Sequence, residues 1–253
     1  MKNIGIIGCG WLGSRIAKTL TEKYTVYVTT TSSHKLQHLN EQGFNPSLMN
    51  FGKDDVSEDN TQWAVVKHLD TIIITVPFSG KYEHSDELED KVNRLYSFIG
   101  NFQGQMFLMS STGVYPDIEK EFSENDLSPE NVLGEHLVRS KFPQVNILRL
   151  AGLMGDDRFL SKYKVSNLQS PVNHIHYADV SLIIKKMIER KSSAKLYNVA
   201  APLHPTKAEV IHNQKGTQYP HESRGNGRII SSQRLISDLD FVFTYPDPKF
   251  FHQ

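Results

Sequence analysis

The N-terminus combines a short apolar run with a helical pattern. Residues 4–7 are apolar and rich in isoleucine, which suits a strand that is buried on both faces. From Trp11 onward, apolar side chains recur at helical spacing, at Leu12, Ile16 and Leu20. Gly8 and Gly10 separate the two patterns, and Gly13 lies in the first turn of the second. The segment therefore predicts a strand, a glycine turn and a helix in that order.

The same alternation continues along the chain. Further apolar, β-branched runs predict strands at 24–30, 48–51, 71–76, 106–109, 145–150 and 196–199. Segments with apolar residues on one face predict helices at 85–99, 131–140 and 179–190. Alternating strands and helices are typical of a parallel sheet that is covered on both faces. We therefore predict an α/β protein with a Rossmann-like, doubly wound parallel sheet.

Two stretches interrupt this rhythm. Residues 151–173 and 201–253 are polar, irregular and punctuated by prolines. We expect them to form a small C-terminal substrate lobe over the carboxyl edge of the sheet, where ligands of open α/β sheets bind. Residues 1–150 and 174–200 would then form the dinucleotide-binding domain, interleaved with the lobe in one compact unit.

The glycine spacing indicates a dinucleotide site. Gly8 permits a tight turn, Gly10 lets a phosphate approach the backbone, and Gly13 lets the helix pack closely on the strand. The alternative is a glycine turn that only packs helix on strand. The predicted cofactor contacts lie on the turn and helix start, after the second strand, and at the ends of the fourth and fifth strands: Gly8, Gly10, Trp11, Leu12, Gly13, Thr30, Thr31, Ser32, Lys35, Thr75, Val76, Pro77 and Ser110.

The end of the second strand favours NADP over NAD. An NAD site usually places an acidic residue here for the ribose 2′-hydroxyl. Residues 28–35 contain no carboxylate, whereas Thr30, Thr31, Ser32 and Lys35 offer hydroxyls and a cation to a 2′-phosphate. NAD remains the alternative cofactor. Ser32 also suits a helix cap, and both roles are compatible.

Composition narrows the class of partner. Lys+Arg and Asp+Glu both number 28, so the formal net charge is zero, which argues against nucleic acid and anionic membranes as partners. We therefore expect a small-molecule substrate or ligand. The N-terminal apolar run is too short to span a membrane and lacks a signal-peptide pattern, so a soluble, cytoplasmic protein is expected. The single cysteine, Cys9, excludes an intrachain disulfide, and we interpret it as a small filler rather than a redox sensor.

Histidine is abundant enough to raise the question of a metal site. His34 and His38 lie four apart, and His174 and His176 flank Ile175. The first pair has no nearby carboxylate or thiol in sequence that would complete a ligand set, and the second belongs to a segment that resembles one without a metal role in the family introduced below. We expect no bound metal.

Several collinear segments resemble the extended short-chain dehydrogenase/reductases, the epimerase and dehydratase superfamily. They read SSTGVYP at 110–116, ILRLAGLMG at 147–155, HIHYADV at 174–180 and YNVA at 197–200, followed by the tail at 227–247. The resemblance implies a Rossmann-like sheet with a C-terminal substrate lobe. It also implies NAD(P)-dependent epimerase, dehydratase or reductase chemistry on a small carbonyl compound or a nucleotide sugar.

The chain departs from this family at its catalytic pair. Family members carry Tyr-x-x-x-Lys on the helix after the serine motif, but residues 127–141 contain no tyrosine, and an ungapped count places Leu127 and Asn131 at the two positions. The sequence YPDPK at 245–249 has the spacing, but its prolines prevent a regular helical turn. Gly8 and Gly10 are also one residue closer than is usual in extended members. Both departures are similar to the atypical, YeeZ-like NAD(P)-binding proteins.

The resemblance implies roles for four further residues. Ser111 matches the family's catalytic serine and would orient a substrate carbonyl, or else only close the strand locally. Tyr115 offers a substitute phenol, although complete family members have a tyrosine here that is not the base. Arg158 and Arg228 lie in lobe segments whose arginines contact a nucleotide-sugar diphosphate in the family, or else form surface salt bridges.

Three possibilities stay open from the sequence. The first is an NADP-binding epimerase, dehydratase or reductase that has lost the tyrosine-lysine mechanism. The second is a non-catalytic module that senses the dinucleotide. The third is a scaffold in which the cofactor only stabilises the fold. Helices such as 85–99 commonly pair subunits in the resembling family, so a homodimer is one expectation.

Overall fold

The computed structural model describes residues 1–50, 62–78, 84–219 and 225–253. Its chain contacts divide into two compact units. The first unit comprises Met1–Ser110, Ser128–Ile147 and Met187–Lys195. The second unit comprises Ser111–Leu127, Leu148–Lys186 and Leu196–Gln253, and so includes the predicted lobe segments together with most of the serine motif.

A seven-stranded parallel sheet organises the fold. Its strands are β1 (Asn3–Ile7), β2 (Thr25–Thr30), β3 (Asn45–Leu48), β4 (Thr71–Ile74), β5 (Gln105–Ser111), β7 (Asn146–Leu150) and β10 (Leu196–Val199). Their order is β10-β7-β5-β4-β1-β2-β3. The order reverses between β1 and β4, which makes this pair the topological switch point. The predicted Rossmann-like, doubly wound sheet is confirmed.

Short strands and helices complete the chain. The remaining strands are β6 (Glu121–Phe122), β8 (Gly152–Met154), β9 (His174–His176) and β11 (Ile229–Ile230), and they pair as β6 with β11 and β8 with β9. The helices are α1 (Trp11–Thr21), α2 (His34–Glu41), α3 (Ser85–Ile99), α4 (Leu133–Lys141), α5 (Tyr177–Glu189), α6 (Lys207–Lys215) and α7 (Gln233–Leu239).

The core follows the hydrophobic pattern of the sequence. The isoleucines of β1 and β4 are completely buried, as expected for central parallel strands. Helix α1 buries Leu12, Ile16 and Leu20 together with Gly13 and Ala17, which is the predicted face. No helix in the described part of the chain is long and apolar enough to cross a membrane.

Several predicted element boundaries are shifted in the structure, and two of the shifts have a local cause. The third strand spans Asn45–Leu48 rather than 48–51, and Phe51 lies outside the described residues. It is the edge strand and is mostly exposed, so it lacks the apolar run on which the prediction rested. The predicted helix at 131–140 begins at Leu133 instead, because Pro129–Asn131 form a separate 3₁₀ turn that starts with proline.

Candidate functional sites

The glycine turn after β1 is held tightly against neighbouring strand ends. Gly8 has a φ of +100°, and a Cβ there would lie 2.8 Å from Val76 Cγ2. Its N–H donates to Thr29 Oγ1 at 2.9 Å. The Thr75 hydroxyl bridges the carbonyls of Ile7 and Gly8. Since both the φ and the close contacts disfavour a side chain, position 8 requires glycine.

The other two glycines of the turn meet different surroundings. A Cβ on Gly13 would lie only 2.2 Å from the Gly8 carbonyl oxygen, so this glycine permits the close approach of α1 to the turn. A Cβ on Gly10 would meet nothing within 4 Å. Gly10 therefore faces open space at the N-terminus of α1, where a phosphate group fits.

A cavity of about 270 Å³ opens at this turn, wholly within the first unit. The structure brings together all of the predicted cofactor contacts except Ser32 and Ser110, and it adds Cys9. The lining residues are Gly8, Cys9, Gly10, Trp11, Leu12, Gly13, Thr30, Thr31, Lys35, Thr75, Val76 and Pro77. The set comes from the ends of β1, β2 and β4, which meet at the switch point. We refer to this cavity as the glycine-turn pocket.

The charge in the glycine-turn pocket comes from Lys35. Among the described residues that line it, none is acidic. Burial raises the pKa of the Cys9 thiol to about 11, while the Lys35 ammonium opposes that rise. Lys35 is therefore close enough to act on the interior of the turn. The thiol stays protonated at neutral pH, as suits a small filler.

Trp11 begins α1 beside the pocket and is covered by Arg15. The Arg15 guanidinium lies 3.9 Å from the centroid of the Trp11 ring. Arg15 Nη1 also donates to the Trp11 carbonyl oxygen at 2.7 Å. This pair holds the indole at the helix start.

Ser32 and Ser110 lie outside the described lining of the pocket. The Ser32 N–H donates to Thr30 Oγ1 at 3.2 Å, which places it beside a lining residue. The Ser110 hydroxyl donates to Glu135 Oε1 at 2.6 Å. Glu135 is 1% exposed, and nothing in the sequence pattern singled it out as a partner of Ser110.

The segment that would carry the family's tyrosine and lysine is not α-helical at the two counted positions. Leu127 is extended, and Asn131 ends the 3₁₀ turn before α4. Helix α4 begins two residues later, where Gly134 would place a Cβ 2.0 Å from the Phe78 carbonyl oxygen. The local geometry therefore differs from a continuous helix that presents a Tyr-x-x-x-Lys pair.

Ser111 and Tyr115 both belong to the second unit and are engaged locally. Ser111 Oγ accepts from the Gly113 N–H at 3.0 Å and caps a 3₁₀ turn. Tyr115 is 3% exposed, and its hydroxyl donates to Asn198 Oδ1 at 2.9 Å while accepting from Arg149 Nη1 at 2.8 Å. Burial raises the pKa of Tyr115. The phenol thus lies within a buried polar network.

Arg149 is the centre of this network, and sequence reasoning missed it. It is completely buried, and its Nη1 also donates to the Leu127 carbonyl oxygen at 2.8 Å. Glu124, 4% exposed, accepts from the Asn198 N–H at 2.6 Å. The sequence did offer a signal for Arg149: it is a charged residue inside the apolar residues 145–150 that predict a buried strand, and a buried charge requires partners.

The second unit contains a larger cavity of about 450 Å³. Its walls are residues 117–119, Leu160, Asn167, 170–174, Lys207 and 226–228. We refer to it as the lobe cavity. Arg228 lines it, and its Nη1 donates to the Tyr115 carbonyl oxygen at 2.6 Å.

Arg158 and the histidine pairs lie elsewhere. The Arg158 backbone exchanges two hydrogen bonds with Gly155, and Arg158 is absent from the described walls of the lobe cavity. His174 is one wall residue, whereas His176 stacks on Tyr245 at a centroid distance of 3.7 Å. Among the described residues, no group of three or more His, Cys, Asp or Glu side chains is arranged to hold a metal ion.

Comparisons with known proteins agree with this geometry. A family model described as ketopantoate reductase PanE/ApbA matches residues 4–94, the part that contains the glycine turn. Over 272 residues the chain is 26% identical to Protein YeeZ of Escherichia coli strain K12, covering 98% of both chains. The predicted similarity to YeeZ-like proteins is confirmed.

Solved structures of short-chain dehydrogenase/reductase type share the fold. The dTDP-glucose 4,6-dehydratase of Bacillus anthracis, in complex with NAD, matches with a TM-score of 0.72 and 13% identity over 98% of this chain and 94% of that chain. The human epimerase family protein SDR39U1, with NADPH, matches with a TM-score of 0.66 and 11% identity over 97% of this chain and 96% of that chain. At such identities the likeness establishes the Rossmann-like fold.

Proposed function

We propose that the protein binds NADP in the glycine-turn pocket and is an epimerase-, dehydratase- or reductase-like protein that does not use a tyrosine-lysine pair. One observation carries the proposal: the predicted phosphate-binding glycines, the end of β4 and Lys35 line one cavity at the switch point of the sheet. Ligands of doubly wound sheets bind at this point.

The pocket fits a dinucleotide in its details. Gly10 leaves open space at the start of α1, and the positive end of a helix dipole at this position favours a pyrophosphate. Thr75, Val76 and Pro77 supply the wall at the end of β4. The neighbours solved with NAD and NADPH support a nicotinamide dinucleotide as the cofactor class.

NADP is the cofactor we favour, with NAD as the alternative. Thr30, Thr31 and Lys35 line the pocket after β2, and the described lining holds no carboxylate to accept the ribose 2′-hydroxyl of NAD. A 2′-phosphate would gain charge-assisted hydrogen bonds there, whereas an acidic residue would repel it.

Such a cofactor supplies hydride chemistry at its nicotinamide when bound. The chain's own residues bind and orient, and we assign no acid or base to Tyr115, because its hydroxyl already bonds to Arg149 and Asn198. Ser111 stays a candidate for orienting a substrate carbonyl. Arg228 is the substrate-binding candidate that lines the lobe cavity. The substrate class we propose is a small carbonyl compound or a nucleotide sugar.

A second function is a module that senses the dinucleotide without turnover. The buried, hydrogen-bonded Tyr115 and the absence of tyrosine from residues 127–141 favour it, because both remove the usual phenolic acid. The two functions share the cofactor site and differ only in turnover.

Calorimetric titration of the full chain with NADP and with NAD tests the cofactor. We expect tighter binding of NADP, and abolished binding in Gly10→Glu, which fills the phosphate space and adds a like charge. Ser140→Glu, on an exposed face of α4, is the matched control and should bind normally. Tighter binding of NAD would overturn the assignment of NADP, and no binding of either dinucleotide would overturn both functions.

Cofactor absorbance and product analysis then separate the enzyme from the sensor. The protein is incubated with NADPH or NADP and a panel of carbonyl compounds and nucleotide sugars. Consumption of NADPH supports a reductase, and conversion of a panel compound without net change in the cofactor supports an epimerase or dehydratase. Tight binding without turnover, together with a dinucleotide-dependent change in protein association, supports the sensor.

A further inference from the structure

The lobe cavity is built by close packing of distant chain segments. Its floor includes Leu160 and Val172, which are buried in a small apolar cluster with Val210. A Cβ on Gly227 would lie 2.8 Å from Pro171 Cδ, so the absence of a side chain at Gly227 lets the chain before β11 pack directly against Pro171. The cavity is therefore a shaped feature of the second unit.

The Arg228 guanidinium is held in a defined position in this wall. Its Nη1 donates to the Tyr115 carbonyl oxygen, while the Asn173 side chain bonds to the Arg228 carbonyl oxygen and to the Ile230 N–H at 2.8 Å each. A guanidinium has five N–H donors, so the one side-chain hydrogen bond found among the described residues leaves donors of this wall residue for a ligand.

Lys207 adds a second cation. Its Nζ donates to the Ser166 carbonyl oxygen at 3.1 Å, and an ammonium group has three donors. Lys207 begins α6, but the first N–H groups of that helix are already used: those of Lys207 and Ala208 donate to the carbonyl oxygens of Ser170 and Leu168. An anion in the cavity would therefore be recognised by side chains rather than by the helix terminus.

His174 contributes a neutral polar group. Burial and, to a smaller extent, the Lys207 ammonium lower the pKa of His174 to about 4. The ring packs over Gly152, where a Cβ would lie 2.7 Å from His174 Cδ2. No described residue hydrogen-bonds to either ring nitrogen. At neutral pH the imidazole therefore offers one donor and one acceptor to a ligand.

The acidic wall residues limit the charge of the ligand. Asp117 and Glu119 line the cavity together with Arg228 and Lys207, so the lining contains two carboxylates and two cations. A diphosphate would meet this acidic wall unfavourably, whereas ligand hydroxyl groups would donate to it. In addition, no phenylalanine, tyrosine or tryptophan is present in the described walls to stack on a nucleotide base.

We propose that the lobe cavity binds a small, polyhydroxylated carboxylic acid of the sugar-acid type, with its carboxylate at Arg228 and Lys207 and its hydroxyl groups towards Asp117 and Glu119. The inference rests on the proposed function in taking Arg228 as a substrate-binding residue. It narrows the substrate class there to a small carboxylate rather than a nucleotide sugar. Lys207, His174 and Asn173 become ligand-binding or positioning residues.

Calorimetry of the full chain without dinucleotide tests this assignment with three probes. Glucuronate carries the carboxylate and hydroxyls, glucose lacks the carboxylate, and UDP-glucose carries a diphosphate. We expect glucuronate to bind, and glucose and UDP-glucose to bind at least about tenfold more weakly, a difference of roughly 1.4 kcal/mol. Absence of glucuronate binding would overturn the inference, as would UDP-glucose binding at least as tightly.

Variants on one helix locate the binding. Lys207→Gln should weaken glucuronate binding by at least about tenfold, because it removes a charge-assisted bond. Lys215→Gln, in the last turn of the same helix, is the matched control and should leave binding unchanged. Equal affinities of the two variants would contradict the assignment. Arg228→Met should also lose binding, and the lysine pair keeps the test decisive if that variant fails to fold.

Failure of this inference is distinguishable from failure of the proposed function. Gly10→Glu should lose NADP binding and still bind glucuronate, because the two cavities belong to different units. NADP binding without glucuronate binding in the unaltered protein overturns the ligand assignment alone. Glucuronate binding without dinucleotide binding overturns the proposed function alone.

Discussion

Ser110 and Glu135 are joined by a 2.6 Å hydrogen bond that ties the end of β5 to the first turn of α4. Glu135 is 1% exposed, so its carboxylate depends on partners inside the protein. The bond links the first residue of the serine motif to the helix that in the resembling family carries catalytic groups. In this chain the start of that helix is used for packing.

Ser110→Ala should destabilise the protein by about 1–3 kcal/mol, because it leaves a buried carboxylate oxygen without this donor. Urea denaturation measures the change. Ser140→Ala, which removes an exposed hydroxyl from α4, the helix of Glu135, should change stability by less than about 0.5 kcal/mol. Equal stabilities of the two variants would show that the Ser110–Glu135 bond contributes nothing.

Gly13→Ala should lower the stability of the protein, whereas Gly10→Ala should lower its affinity for the dinucleotide. The first places a methyl group 2.2 Å from the Gly8 carbonyl oxygen, and we expect a loss of about 1–3 kcal/mol in stability. The second meets open space, so we expect normal stability but weaker dinucleotide binding. Thermal unfolding and calorimetry measure the two properties. A destabilised Gly10→Ala with full affinity would contradict the assigned roles.

Lys35→Ala should weaken NADP binding by about tenfold, because it removes a charge-assisted contact to the 2′-phosphate. Binding of NAD, which lacks that phosphate, should be nearly unchanged. Lys18→Ala, on the exposed face of α1, is the control. The fluorescence of Trp11, a lining residue, reports both titrations. A parallel loss of NAD and NADP affinity would assign Lys35 another role.

Tyr115→Phe should act on stability and leave chemistry intact. The change deprives Asn198 and Arg149 of a buried hydrogen-bond partner, which should cost about 1–3 kcal/mol. Tyr163→Phe is the control, because that tyrosine is 54% exposed. Turnover of NADPH, where found, should persist below the unfolding temperature. Lost turnover with unchanged stability would instead make Tyr115 the acid.

His176 should make the protein less stable as pH falls. Burial lowers the pKa of His176 from 6.5 to about 4, so the unfolded chain binds the proton more readily. Its stabilising contribution is complete above pH 6.5 and is lost as pH falls towards 4, by about 2 kcal/mol between pH 6.5 and 5.

His176→Phe isolates this effect from other titrating groups. The phenyl ring should keep the stacking on Tyr245 and remove the titration. Urea denaturation at pH 7 and pH 5 should show a smaller loss of stability in the variant than in the unaltered protein. Identical losses would exclude His176 as a source of the pH dependence.

The order of elements and the glycine turn were readable from local pattern. Apolar runs and helical spacing report burial and backbone conformation within a few residues, so they predicted the strands and helices of the doubly wound sheet. They also placed Lys35 and the hydroxyls of Thr30 and Thr31 after β2, since strand ends share one edge of a parallel sheet. The boundary errors fell at the edge strand β3 and at the proline-led turn before α4, where these signals are weak.

The hydrogen-bond partners of the polar side chains depended on contacts between residues that are far apart in the sequence. Tyr115 bonds to a residue 83 positions away, and Ser110 bonds to one 25 positions away. No periodicity reports such pairs, because they form only when the chain returns to the same place. The sequence alone therefore predicted the glycine turn and the absence of a carboxylate at the end of β2. The engagement of Tyr115, the burial of Arg149 and the walls of the lobe cavity follow from packing, which brings distant polar groups out of water and requires each to find a partner.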